Sequence, residues 1–201
     1  KPFSFTDYIK LQQNSKIVDL YLNKLPEQYG YDPVDDIQVL APMRKGEVGI
    51  TELNGVIQKR LTQSGELLHR RKIGDRTVQF FANDKVIQTA NDYELGVMNG
   101  DIGTVLRKSD SGIEANMGGN KVVYKEEKIG NLDLAYAISI HKSQGSEYSA
   151  VILPIAAEHQ FMLARNLLYT AVTRGKQRVF CVGSAQALER GIAAKWKDAR
   201  Y

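Results

Sequence analysis

Ile17, Val18, Leu20, Tyr21 and Leu25 fall on one face at helical spacing and predict an amphipathic helix early in the chain. From Pro26 to Pro33, Gly, Asp and aromatic residues break that pattern. Ile37-Gln38-Val39-Leu40, opened by Asp35-Asp36 and closed by Pro42, predicts a buried strand. Its C-terminal end runs into the loop Met43-Arg44-Lys45-Gly46. Thr51 is placed to cap a following helix that carries Leu53, Val56, Ile57 and Leu61.

Between Gly74 and Lys128 the pattern changes to short β-rich runs: Thr77 to Phe81, Lys85 to Thr89, Ile102 to Leu106 and Lys121 to Tyr124. Turn signals separate them, at Asn91-Asp92, Asn99-Gly100, Ser109 to Gly112 and Gly118-Gly119-Asn120. Strands so closely spaced predict a small barrel or meander. After Asn131 the pattern alternates again: apolar Leu134 to Ile140, a strand at Val151 to Leu153, and a helix from Phe161 to Arg174. A strand at Arg178 to Val182 and a helix from Ala185 to Trp196 follow. The simplest reading is an α/β domain, residues 1–81 with 131–201, interrupted by a β insertion at 82–130 whose strands stay out of the main sheet.

Composition narrows this only slightly. The 201 residues are 43% hydrophobic and 25% charged, an ordinary globular balance. No apolar run reaches the length of a membrane span. A net charge of +4 is compatible with an anionic partner without requiring one. The single cysteine, Cys181, excludes an internal disulfide and a cysteine-cluster metal site, and fits a reducing, cytoplasmic setting. The chain opens Lys1-Pro2-Phe3 without an initiator Met or signal peptide, which reads as a piece of a longer protein.

Three strings carry candidate chemistry. In Ala135 to Glu147, an apolar segment ends in His141, Lys142, Ser143 and Gln144, donors suited to phosphate or sugar oxygens. Gly145 then lets the backbone approach a ligand, and Glu147 can accept from a ribose hydroxyl. In Asn166 to Gly175, Leu167, Leu168, Ala171 and Val172 form an apolar helix face, with Arg174 in the last turn. In Leu40 to Gly46, Arg44 and Lys45 stand at the C-terminal end of a strand, where open α/β sheets bind ligands. Taken singly, these strings read equally as a solvated loop, a helix-end charge and a basic turn.

In this order, the strings resemble the C-terminal motor domain of a superfamily-1B helicase of the RecD type, also called the exodeoxyribonuclease V alpha chain type. Leu40 to Gly46, with Gly49 and Leu53-Asn54, resembles the family's motif IV. Ser139 to Glu147 resembles motif V, and Leu168 to Gly175 resembles motif VI. Asn91 to Gly103 is similar to a stretch of the family's SH3-like insertion. The resemblance implies a RecA-like P-loop-NTPase-type parallel sheet, the second motor lobe, with an inserted SH3-like barrel. It also implies ATP and Mg2+ as cofactors, single-stranded DNA and the N-terminal motor lobe as partners, 5′ to 3′ translocation with duplex unwinding, and a role in DNA repair or recombination.

By the same resemblance, Arg174 acts as an arginine finger on the γ-phosphate, while Arg44, Gly145 and Glu147 also face ATP. Ser139, His141, Lys142, Ser143 and Gln144 face single-stranded DNA. The phosphate-cradling G-x-x-x-x-G-K-[S/T] pattern fails here: Gly175-Lys176 is followed by Gln177, and Thr170 stands five before Gly175. Asp35-Asp36 precede a strand rather than ending one, so the magnesium ligands are expected elsewhere and this chain is expected to be inactive by itself. Two other readings are a helicase-like lobe of a conjugative relaxase and a non-catalytic interaction module.

Overall fold

The computed structural model describes residues 13–62, 65–73, 76–156 and 165–193. The helical expectations for 161–164 and 194–196 lie outside them. The chain forms two compact units, Lys1–Ile57 with Ala137–Tyr201, and Gln58–Tyr136.

The first unit is built on a four-stranded sheet in the order β11-β10-β1-β9. Its strands are β1 (Ile37–Ala41), β9 (Ala137–Ser139), β10 (Tyr148–Ile155) and β11 (Gly175–Gly183). All pairings are parallel, with Ile37 beside Ala150, Ala41 beside Ser139 and Tyr148 beside Gly175. Every residue of β1 is buried, as is nearly every residue of β10, because both faces of a parallel sheet are covered. Helical residues 13–29 (α1), Ile50–Leu61 (α2), Arg165–Val172 (α3) and Ala185–Ala193 (α4) complete the unit. No helix among the described residues is long and apolar enough to cross a membrane.

Helix α2 starts at Ile50, so Thr51 lies inside it rather than at its cap. Its first amides are satisfied by the preceding loop: Ile50 N donates to Met43 O at 3.0 Å and Thr51 N to Arg44 O at 3.2 Å. On the same helix, buried Asn54 donates through Nδ2 to Ala137 O at 2.9 Å and accepts from Ala137 N at 2.8 Å.

The second unit holds a two-stranded ribbon, β2 (Leu67–Ile73) with β3 (Arg76–Phe81). It also holds an antiparallel sheet in the order β7-β6-β5-β4-β8. These strands are β4 (Lys85–Gln88), β5 (Ile102–Ser109), β6 (Gly112–Met117), β7 (Asn120–Lys125) and β8 (Leu132–Leu134). As expected, Ile102 to Leu106 stays out of the parallel sheet. Gly103 is required where β5 crosses β6, since a Cβ there would collide with Asn116 O and Met117 Sδ.

The compact units divide at 57/58 and 136/137, whereas the sequence reading divides the chain at 81/82 and 130/131. Two contacts give the reason. Arg71 on β2 donates to the carbonyls of Ile129, Gly130 and Leu132, which ties the ribbon to the insertion. Strand β8 pairs with β4, which draws residues past 130 into the same unit.

Both ends of this unit meet at Asp84. Its carboxylate accepts from Gln58 Nε2 at 2.6 Å, Phe81 N at 2.7 Å and Tyr136 Oη at 2.7 Å. Burial raises its pKa above the ordinary carboxylate value, against the opposing pull of these three donors. The folded chain therefore holds this proton more tightly than the unfolded chain. The resulting contribution to stability is full below about pH 4 and lost as pH rises through the folded value. Asp84→Asn is expected to flatten that segment of the stability–pH curve. Urea midpoints recorded from pH 4 upward test this, and parallel curves for both proteins would refute it.

Candidate functional site

The chain leaves β9 at Ser139 on the C-terminal edge of the sheet and enters β10 at Tyr148 on the N-terminal edge. In the sheet order, β1 lies between those two strands, so residues 140–147 cross over it. The crossing has no α-helix, only a 3-10 turn at His141–Ser143. One short segment therefore serves two separated edges.

At the C-terminal edge, His141, Lys142 and Gln144 are exposed. Ser139 Oγ accepts from Lys142 N at 3.2 Å and so braces the turn. Ser143 is placed differently from these neighbours. It is fully buried, and its hydroxyl donates to Ile140 O at 2.7 Å, so it holds the turn from within rather than facing a ligand.

At the N-terminal edge, Arg174 follows α3, and its backbone carbonyl accepts from Tyr148 N at 2.9 Å. Its guanidinium reaches back to the crossing segment, with Nη1 donating to Ser146 O at 3.2 Å. Nε donates to Thr170 O at 3.3 Å, and Nη2 to Thr173 Oγ1 at 3.3 Å. All three acceptors are neutral, so these bonds position the cation without cancelling its charge. Burial pushes the Tyr148 phenol up, with Ser146 and the Arg174 cation pulling the other way.

Glu147 pairs with Lys176 Nζ at 3.7 Å. Both side chains are more than half exposed, so the pair contributes little stability and can be exchanged for a ligand contact. Gly145 has φ +85, a left-handed conformation, and nothing lies within 4 Å of where a Cβ would stand. The backbone there is open to close approach.

The register separates Arg44 from this cluster. Ala41 lies beside Ser139, so the Arg44 loop emerges at the C-terminal edge with His141 and Lys142, whereas Glu147 and Arg174 stand at the opposite edge. The five residues of β1 alone span about 16 Å at about 3.3 Å per residue. Sequence resemblance set both Arg44 and Arg174 toward ATP, and the register places them at opposite edges of the sheet. Lys176 and the Ser146 carbonyl were not anticipated, since no residue pattern reports which backbone carbonyl an arginine reaches.

Among the described residues, no group of three or more His, Cys, Asp or Glu side chains could hold a metal ion. The neutral seat of Arg174 and the open backbone at Gly145 do fit a nucleotide's phosphates.

Residues 134–182 match the family described as UvrD-like helicase C-terminal domain. Residues 53–117 match the ATP-dependent RecD-like DNA helicase SH3 domain. The ATP-dependent RecD2 DNA helicase of Deinococcus radiodurans is 39% identical over 164 residues, covering 82% of this chain and 22% of that protein. The RecBCD enzyme subunit RecD of Mycobacterium tuberculosis is 33% identical over 165 residues, covering 81% and 27%. The conjugal transfer protein TraA of Rhizobium radiobacter is less similar, 31% identical over 157 residues, covering 74% and 14%. The chain thus spans about a quarter or less of each relative's length.

Among solved structures, the Bacteroides Pif1 helicase in complex with ADP-AlF3 and ssDNA aligns with TM-score 0.58 at 18% identity, covering 94% of this chain and 50% of that one. Bacteroides Pif1 bound to ssDNA aligns with TM-score 0.53 at 18% identity, covering 87% and 47%. These alignments support the RecA-like fold of the parallel-sheet unit. With both domain matches in one chain and RecD relatives spanning most of it, the chain belongs to the RecD-like superfamily-1 helicases, as their UvrD-like C-terminal domain carrying a RecD-like SH3 insertion.

Proposed function

We propose that this chain is the second motor lobe of a cytoplasmic, ATP-dependent 5′ to 3′ DNA helicase acting in repair or recombination. The N-terminal lobe of the same polypeptide completes the nucleotide site. The observation that carries the reading is the seat of Arg174 on the Ser146 carbonyl at 3.2 Å, which joins the end of α3 to the crossing segment.

Arg174 offers its charge to the terminal phosphate of ATP, where a fixed cation stabilises the transition state. Glu147 takes the ribose hydroxyls, and Gly145 leaves room for the nucleotide. ATP supplies the phosphoryl group that is hydrolysed. Ligands for Mg2+ come from the rest of the parent protein. At the other edge, His141, Lys142, Gln144 and Ser139 hold the single-stranded backbone, with Arg44 beside them. Because residues 140–147 join the two edges, a displacement of Arg174 and Glu147 is passed directly to the DNA grip.

The full-length protein is expected to unwind duplexes bearing a 5′ overhang, with ATPase activity stimulated by single-stranded DNA. Unwinding only from 3′ overhangs would reverse the polarity, and absence of unwinding would sink the reading. Arg44→Ala is expected to weaken single-stranded DNA binding by about tenfold, the scale of one charged hydrogen bond, with an unchanged KM for ATP. The salt slope should flatten by about 0.7, the value for one phosphate on a single strand. A raised KM for ATP with intact DNA affinity would return Arg44 to the nucleotide.

A further inference from the structure

We propose that the outer face of the β2–β3 ribbon, carrying Arg70 and Lys72, binds the phosphate backbone of duplex DNA. The ribbon's register sets its two faces apart. Arg70 pairs with Gln79 and Lys72 with Thr77, so these four side chains share one side. Arg70, Lys72 and Thr77 are exposed, whereas Val78 and Phe80 on the other side are buried. Arg71, also on that inner side, spends its guanidinium on the carbonyls of Ile129, Gly130 and Leu132. One face is therefore structural, and the other presents two cations.

Those cations differ from others of the unit. Arg107 is paired with Glu114 at 2.9 Å, and Lys128 with Asp92 and Glu94 at 2.9 and 2.6 Å. No ion pair among the described residues engages Arg70 or Lys72. Arg70 is instead steadied by a neutral partner: with the Gln79 amide turned to accept, its oxygen takes Nε at 3.2 Å and Nη2 at 2.9 Å. Arg70 is thus an exposed cation positioned by a neutral partner. The residues two apart along β2 set the charges about 6.6 Å apart, suited to successive phosphates.

A duplex fits this face better than a single strand. The stretch of the outer face around Arg70, Lys72, Thr77 and Gln79 has no aromatic residue on which bases could stack, the usual platform for single strands, and Phe81 of that face stands beside Leu67 at the base of the ribbon. A two-stranded β-ribbon also matches the width of a major groove. The proposal rests on the helicase reading only in that such a protein meets a duplex ahead of its single-stranded track.

The test measures binding of this chain to a blunt duplex and to a single-stranded oligonucleotide of mixed sequence across a salt series. Arg70→Gln combined with Lys72→Gln is expected to lower duplex affinity about tenfold at low salt and to flatten the salt slope by about two. Single-strand affinity should stay at the wild-type level, and a melting curve confirms folding. Lys121→Gln with Lys125→Gln removes the same charge from the exposed face of β7 and is expected to leave duplex affinity unchanged. Equal loss in the β7 variant would reveal a general electrostatic field and overturn the proposal. So would an unaltered duplex affinity, or an equal loss on the single strand. A wild-type chain that binds duplex but not single strand would overturn the helicase reading instead, while the duplex comparison still judges the ribbon.

Discussion

Replacing Arg174 with alanine in the full-length protein is expected to cut DNA-stimulated ATP turnover by about 10³–10⁵-fold, the range for arginine fingers. Affinity for single-stranded DNA without nucleotide should hardly change, because Arg174 stands at the edge of the sheet opposite His141 and Lys142. The competing account is a helix-end charge worth about 0.3–1 kcal/mol of stability and nothing more. The geometry supports a role beyond the helix end. A helix-end charge needs only carbonyls of its own last turn, such as Thr170 O, yet Nη1 reaches Ser146 on a distant segment. Arg174→Lys is expected to fail nearly as badly. An ammonium cannot hold Ser146 and Thr170 while still presenting a planar fork to a phosphate. Steady-state ATPase at saturating DNA, with a melting curve for each variant, decides the matter. A folded Arg174→Ala protein with near-normal turnover would end the assignment.

The legibility of the fold followed burial. Strand β1 could be read from Ile37 to Leu40 because a strand covered on both faces is a continuous apolar run. Strand β2 could not, since four of the seven residues in LLHRRKI are basic and only its inner face is covered. Strand β6 was hidden for a similar reason: Glu114 is buried yet satisfied by Arg107 across the ladder, a pairing no local pattern reports. The sequence boundary at 81/82 was drawn without β2, because an unread strand cannot be assigned to a unit.

The site divides along the same line. Glu147 and Arg174 were singled out by residue type and order, and the structure sets them at adjacent strand starts. The edge on which Arg44 stands depends on parallel register, and the inward turn of Ser143 depends on a 3-10 turn. Neither is a property of a short string.

Asn54 carries the largest expected effect on stability. Strand β9 has only three residues and pairs with β1 on one flank. The backbone N–H and C=O of Ala137 are bonded by a single side chain, the Asn54 amide, at 2.8 and 2.9 Å. An amide is suited to this task because it offers a donor and an acceptor side by side, as a strand neighbour would. Asn54→Ala leaves two buried backbone groups without those partners, where water does not reach them. At about 1–3 kcal/mol for each unsatisfied group, the expected loss is about 2–6 kcal/mol. Asn54→Asp should be no rescue, since its second oxygen would face the Ala137 carbonyl. Lys59→Ala, an exposed change on the same helix, is expected to stay within about 0.5 kcal/mol. The effect should also reach function, because β9 delivers Ser139 and the His141–Ser143 turn to the DNA edge. Single-stranded DNA affinity should therefore fall in Asn54→Ala at temperatures where the chain remains folded, while in Lys59→Ala it should not. Urea denaturation and DNA binding measured on the same preparations test both halves, and an unchanged midpoint in Asn54→Ala would show that β9 is held by β1 alone.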